Sequence, residues 1–371
     1  MFGKTRPPLR VVADNSRGSE GAPWGGGPPR AAEGGLWDIA AEVRRLVVGQ
    51  NEALDGILPY LDAYRAGLAP EGRPAGVFLL LGPTGTGKTK TVESLAQAAH
   101  GDAKCVVKVN CGEFQLDHEV AKLIGAPPGY LGHRETQPLL TQSRLAAATS
   151  ARLNLALVLF DEIEKAAPSL VRLLLGVLDK GVLRLGDGTS VDFERTFVFF
   201  TSNLGARNIE RHLRPRFTFA GCGAARETSG QKLHHLAVEA ARRFFPPEFM
   251  NRVDAVFTYQ PLSAGSLERI LDQLIGEIQT QISTRLMSRQ FLLDVRPSAR
   301  RLLLDRGTSP EYGARELKRA LFRFLLHPLS AMVVDQRIPP GATVRVQAAR
   351  NGARLAFRIG DRERAGREQA A

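Results

Sequence analysis

The chain has 371 residues, 43% hydrophobic and 24% charged, which is enough for a substantial core and an ordinary composition for a soluble protein. No apolar run approaches the ~20 residues needed to span a bilayer, and Lys4, Arg6 and Arg10 precede no apolar stretch, so the start is no secretory signal. Cys105, Cys111 and Cys222 fit neither a disulfide framework nor zinc-ligand spacing, making a reducing cytoplasm the default, and the net charge of +12, carried by 40 Arg and 10 Lys with no run longer than a pair, favours acidic partners without naming one.

Residues 1–35 hold eight Gly and five Pro with almost no hydrophobic periodicity, which predicts a disordered leader. Leu36, Ile39, Val43 and Leu46 then recur at helical spacing behind Asp38, and Gly49 ends the segment. From there to residue 260, short apolar runs alternate with helical patterns. The runs are Val77–Leu81, Cys105–Asn110, Leu155–Phe160, Thr196–Thr201 and Ala255–Tyr259, and helices are expected at Lys88–His100, Gln137–Ala151 and Ser169–Lys180. Runs apolar on both faces predict a parallel sheet covered by helices, hence an α/β domain over 36–260. After Pro261 the pattern changes to long helices, Ser266–Met287, Ser298–Arg306 and Arg315–Val334, then two strand-like runs around Val344 and Leu355. A smaller, mostly helical domain is expected over 261–358, with a polar tail at 359–371.

The run Val77–Leu81 leads straight into Gly82, Pro83, Thr84, Gly85, Thr86, Gly87, Lys88 and Thr89. This is the G-x-x-x-x-G-K-[ST] phosphate loop between a strand and a helix, its required setting. The glycines let backbone N–H groups turn around a phosphate at a helix N-terminus, Lys88 supplies a point charge, and the Thr89 hydroxyl suits Mg²⁺. Leu157–Phe160 ends in Asp161 and Glu162, one carboxylate for the hydrated metal and one to take a proton from water.

With these motifs in place, the chain resembles the Clp/ClpB unfoldases over residues 36–357, specifically their second AAA+ module with its small helical domain. The resemblance implies a P-loop AAA+ fold binding ATP and Mg²⁺. It makes Val47-Val48-Gly49-Gln50 the segment against the adenine. It makes Gly125-Ala126-Pro127-Pro128-Gly129-Tyr130-Leu131-Gly132 a substrate-gripping pore loop led by Tyr130 and Leu131. Thr201-Ser202-Asn203-Leu204-Gly205 is similar to the first sensor, with Asn203 polarising water or the γ-phosphate. Pro247–Arg252 is similar to the stretch carrying the arginine finger, placed at Arg252, and Tyr312-Gly313-Ala314-Arg315 to the second sensor, placed at Arg315. Departures are His133 for an aromatic after the pore loop, Pro246 for a basic residue, and Ala167 for a His.

The resemblance further implies a homo-oligomer, expected to be a hexamer, that hydrolyses ATP and threads polypeptide clients through a central pore. No first AAA+ module, coiled-coil middle domain or usual N-terminal domain is found. The segment 206–231 lacks the tripeptide used to dock ClpP-type peptidases, so no such partner is expected. Two alternatives stay open. One is a non-translocating scaffold that remodels a fixed partner. The other is a nucleic-acid loader, disfavoured because Ile124–His133 carries neither Lys nor Arg.

Overall fold

The computed structural model describes residues 38–125, 138–206, 227–309, 313–350 and 354–360, with the backbone alone for 227–230. The pore-loop residues Tyr130 and Leu131, the leader and residues 207–226 of the docking-tripeptide segment lie outside the described residues.

Helix α1 (Ile39–Leu46) begins where Asp38 accepts the Ala41 N–H at 2.9 Å, a side-chain cap for an otherwise unpaired donor. Helix α2 (Asn51–Arg65) follows and leads into strand β1 (Gly76–Leu81) and helix α3 (Lys88–His100). Next come β2 (Val107–Asn110), the short α4 (Ala121–Ile124), α5 (Gln142–Ala147), β3 (Ala156–Asp161) and α6 (Pro168–Lys180). A small hairpin of β4 (Val182–Arg184) and β5 (Ser190–Asp192) precedes β6 (Thr196–Ser202), α7 (Glu227–Phe244), α8 (Pro247–Met250) and β7 (Ala255–Thr258). The second part holds α9 (Ala264–Arg285), β8 (Leu292–Val295), α10 (Pro297–Gly307), α11 (Ala314–Ala320), α12 (His327–Val334), β9 (Thr343–Ala348) and β10 (Leu355–Gly360).

Five parallel strands form the main sheet in the order β2-β3-β6-β1-β7. Alternation along each strand divides the apolar side chains between the two faces. Val77, Leu79, Val158, Phe160, Val198 and Phe200 pack with α6 and α7 on one face. Phe78, Leu80, Leu157, Leu159, Phe197 and Phe199 pack with α2 and α3 on the other. That explains why these strands read as unbroken apolar runs. A separate core built around Leu271, Leu303, Leu317, Leu325 and Val344 holds the helical part together. Its sheet has three strands, β8 joining β9 beside the expected terminal pair.

Two helices differ from expectation. The helix expected over Gln137–Ala151 spans only α5 among the described residues. Thr141 Oγ1 caps it by accepting the Arg144 N–H, and Ser150 bridges to Leu153 beyond its end. The helix expected over Arg315–Val334 is interrupted by a π-helical turn, Leu321–Leu326. Pro328 has no N–H to give the Phe324 carbonyl, so the α-helical ladder cannot run through this point.

Candidate active site

Strand order decides what meets at the site. Because β6 lies between β1 and β3, the C-terminal ends of all three strands deliver the phosphate loop, Asn203 and the Asp161-Glu162 pair to one edge of the sheet. This is the edge where ligands bind in open parallel sheets.

The loop turns sharply at Gly82 (φ 140°), where an added Cβ would lie 2.5 Å from the Tyr259 carbonyl oxygen. Only glycine permits this approach. Tyr259, fully buried, donates to Thr91 Oγ1 on α3 at 2.8 Å. Gln50 braces the other side, its Nε2 donating at 3.0 Å to the carbonyls of both Thr86 and Gln260.

Lys88 is 8% exposed. Its Nζ donates to Gly82 O at 2.5 Å, Pro83 O at 2.9 Å and Asn203 Oδ1 at 3.0 Å. Burial pushes its ammonium down to about 8; the carboxylates of Glu164, Asp161 and Glu162 oppose this, and Arg315 adds to it. Asp161 Oδ1 stands 3.5 Å from Thr89 Oγ1 and accepts from Thr201 Oγ1. Thr201 Oγ1 in turn accepts the Glu162 N–H at 3.0 Å. Among the described residues, Glu162 is one of three non-glycine residues at positive φ (φ 58°, ψ 49°), a conformation costing on the order of 1–3 kcal/mol. Its Oε2 accepts from Lys165 Nζ at 2.5 Å. Beside it, Glu164 Oε1 accepts the Asn203 N–H at 3.0 Å, and burial raises the nearby Cys111 thiol far above its usual range.

A cleft of about 1100 Å³, part of it open solvent, runs along this edge. One end is apolar, formed by Leu46, Val47, Val48, Leu262, Ile270 and Leu274. The other end holds residues 84–90, Asp161, Glu162 and Asn203, and α11 closes over it with Arg315 and Lys318. An apolar slot beside a phosphate loop has the shape and chemistry for a purine nucleoside triphosphate. Arg252 is not part of this lining. It sits in the turn two residues beyond α8, donating to Glu248 O at 2.7 Å, with Nε 3.5 Å from Asp179 Oδ1.

Residues 73–256 match the family described as AAA domain (Cdc48 subfamily), and residues 262–346 match the C-terminal, D2-small domain, of ClpB protein. Chaperone protein ClpB of Rhizobium meliloti (strain 1021) is 36% identical over 86% of this chain and 34% of its own length. The ATP-dependent Clp protease ATP-binding subunit ClpC of Staphylococcus epidermidis is 34% identical over 84% of this chain and 36% of its own. This chain belongs to the Clp/ClpB family of AAA+ ATPases. It spans about a third of the length of these relatives. A solved structure of Hsp104 with ATPγS and FITC-casein superposes with a TM-score of 0.72 at 27% identity, covering 86% of this chain and 51% of that one.

Within this Clp-type site, the sequence offers Thr201, Gln50, Glu164 and Lys165 only as members of motif stretches, with no role of their own, and gives no sign of Lys318. The register places Thr201 opposite Leu80, near the end of β1, so a polar residue closing an apolar strand was its available signal. Gln50 gave none, because its partners are backbone carbonyls.

Proposed function

We propose that the chain is an ATP-driven protein unfoldase that assembles as a ring, expected to be a hexamer, and threads polypeptide clients through a central pore. The observation that carries this reading is the meeting of Lys88, Asp161, Glu162 and Asn203 in one cleft that a second folded part closes with Arg315. The ATPase domain is assigned to 36–260 and the closing domain to 261–358. Val48 lies against the adenine. Gly82, Pro83, Thr84, Gly85, Thr86, Gly87, Lys88 and Thr89 enfold the phosphates.

Thr89 Oγ1 and Asp161 Oδ1, 3.5 Å apart, suit Mg²⁺ held by one hydroxyl, the phosphates and water, the carboxylate acting through water. Such an ion neutralises charge on the phosphates. Among the described residues no group of three His, Cys, Asp or Glu is placed to hold a metal ion between them, and this mode of binding requires none. Glu162 takes the proton from the attacking water, and Asn203 orients that water or the γ-phosphate. Arg315 closes the helical domain on the nucleotide.

Arg252 is the arginine finger in this reading. Its position outside its own cleft supports action on a neighbouring subunit, and an assembled ring follows from that. Tyr130 and Leu131 grip the client. The casein seen with Hsp104 supports a polypeptide client, with no ClpP-type peptidase, membrane or nucleic-acid partner required.

ATP hydrolysis and unfolding of a tagged model protein test the reading together. Glu162→Gln should retain ATP binding while turnover stops. Mixing Arg252→Ala with Lys88→Ala protein should regain activity, because each supplies what the other lacks. Near-normal turnover by Glu162→Gln rejects the assignment of the base, and no gain on mixing rejects the shared site.

A further inference from the structure

Glu162 is followed by a tight 3-10 turn, Ile163–Lys165, in which the Lys165 N–H donates to the Glu162 carbonyl at 2.9 Å. The turn is pinned from below by Ile163, which has no exposed surface. It is pinned from the side by Glu164, which accepts the Asn203 N–H at 3.0 Å. A backbone fixed this way leaves little freedom in where residue 165 stands relative to residue 162. The Lys165 side chain folds back across the turn, and its ammonium reaches Glu162 Oε2 at 2.5 Å. Oε1 of the same carboxylate accepts no hydrogen bond from any described residue.

We propose that Lys165 is a positioning residue for hydrolysis, holding one oxygen of Glu162 so that the other is presented to the attacking water. The proposal rests on the reading of Glu162 as the general base. A glutamate on a half-open cleft samples several rotamers, and only some place a carboxylate oxygen in line with water and phosphate. Tying down Oε2 removes most of that freedom while leaving Oε1 with its lone pairs, the arrangement of a base oriented by a third group. Stability is a poor explanation for the pair. The two side chains are 49% and 29% exposed, and ion pairs so placed contribute little to folding. Crowding supplies a second reason. Asp161, Glu162 and Glu164 gather three carboxylates within four positions, and Lys165 places a compensating charge beside the one that must keep its reach toward the cleft.

Steady-state hydrolysis and nucleotide affinity of the full chain test this with Lys165→Met, Lys165→Arg and Glu162→Gln. Lys165→Met should lose about 10-fold in kcat at unchanged KM, a fraction of the 10²–10⁴-fold supplied by a positioned base. Lys165→Arg, which can still reach Oε2, should restore most of that loss. An unchanged kcat in Lys165→Met, a loss that appears in KM, or an arginine variant as poor as the methionine one overturns the proposal. These outcomes are separable from failure of the underlying reading. That failure shows as turnover in Glu162→Gln, whereas the failure of the Lys165 proposal alone leaves Glu162→Gln inactive while the Lys165 variants give one of those three results.

Discussion

The two walls of the cleft are built differently. The near wall is made from the sheet edge. Lys88 is buried and donates to three acceptors, Asp161 and Glu162 share Thr201, and Gln50 and Tyr259 brace the loop from behind. The far wall, α9 and α11, belongs to a separate core and touches the first wall through sparse polar links. The Ala314 N–H donates to Gly85 O at 3.1 Å, Gln273 Nε2 donates to Arg45 O at 2.7 Å, and Lys90 faces Glu277 at 3.8 Å. A preorganised wall suits charge stabilisation, whose advantage is that nothing need reorganise during reaction. A lightly held wall suits motion, because few contacts must be exchanged when it swings.

Breaking the near wall should have the largest effect. Lys88→Ala removes the only side-chain cation on the loop, and hydrogen bonds to charged groups are worth about 1.5–3 kcal/mol, so ATP affinity measured by titration calorimetry should fall by about 100-fold. A loss below about 5-fold would show that the backbone cradle alone holds the phosphates.

Gly313→Ala attacks the joint between the walls. Gly313 lies at φ 49°, and an added Cβ would stand 2.8 Å from the Gly85 carbonyl oxygen. Strain of this kind costs on the order of 1–3 kcal/mol, so α11 should lift from the loop. ATP affinity should fall by about 10-fold, the equivalent of 1.4 kcal/mol, with the melting of the sheet domain little changed. Affinity equal to wild type would mean that the far wall closes without this contact.

Tyr259→Phe sharpens the contrast in the other direction. Removing the hydroxyl costs about 0.5–1.5 kcal/mol of folding stability, the range for a single buried hydrogen bond, with ATP affinity unchanged. Chemical denaturation read beside calorimetry separates the two quantities, and an affinity loss would show that the brace tunes the loop. The smallest effect is expected for Lys90→Ala. Its pair with Glu277 is exposed and should contribute no more than about 1 kcal/mol. A larger destabilisation would mean the far wall is held more firmly than its contacts indicate.

The elements of both walls were largely legible in the sequence, α9 and the start of α11 included, and the contacts that brace and join them were not, for a physical reason. Gly82–Thr89 and Asp161-Glu162 follow buried strands, where apolar runs and motif spacing carry the signal, and helix α3 spans the residues expected. The contacts of Gln50 and Ala314 run through backbone atoms, which leave no residue-type signature. Helix α2 escaped notice because Pro59 stands inside it, although Ala53, Leu54, Ile57, Leu58 and Leu61 are buried at helical spacing. Strand β8 was hidden because its parallel partner β9 lies beyond three helices in the chain.

The Ala314–Gly85 hydrogen bond also has a temporal side. The two residues are separated by more than two hundred positions, so the phosphate loop leaves the ribosome long before the group that caps its carbonyl exists. At ordinary synthesis rates of about 5–20 residues per second the interval is on the order of ten seconds or more. The sheet core, complete by β7, is therefore available to fold well before α11 emerges, and the loop acquires this backbone partner only after α11 has been made. A nascent chain halted after β7 should resist proteolysis across β1, β3 and β6 while remaining cleavable near Gly85, and release of the remaining residues should close that window.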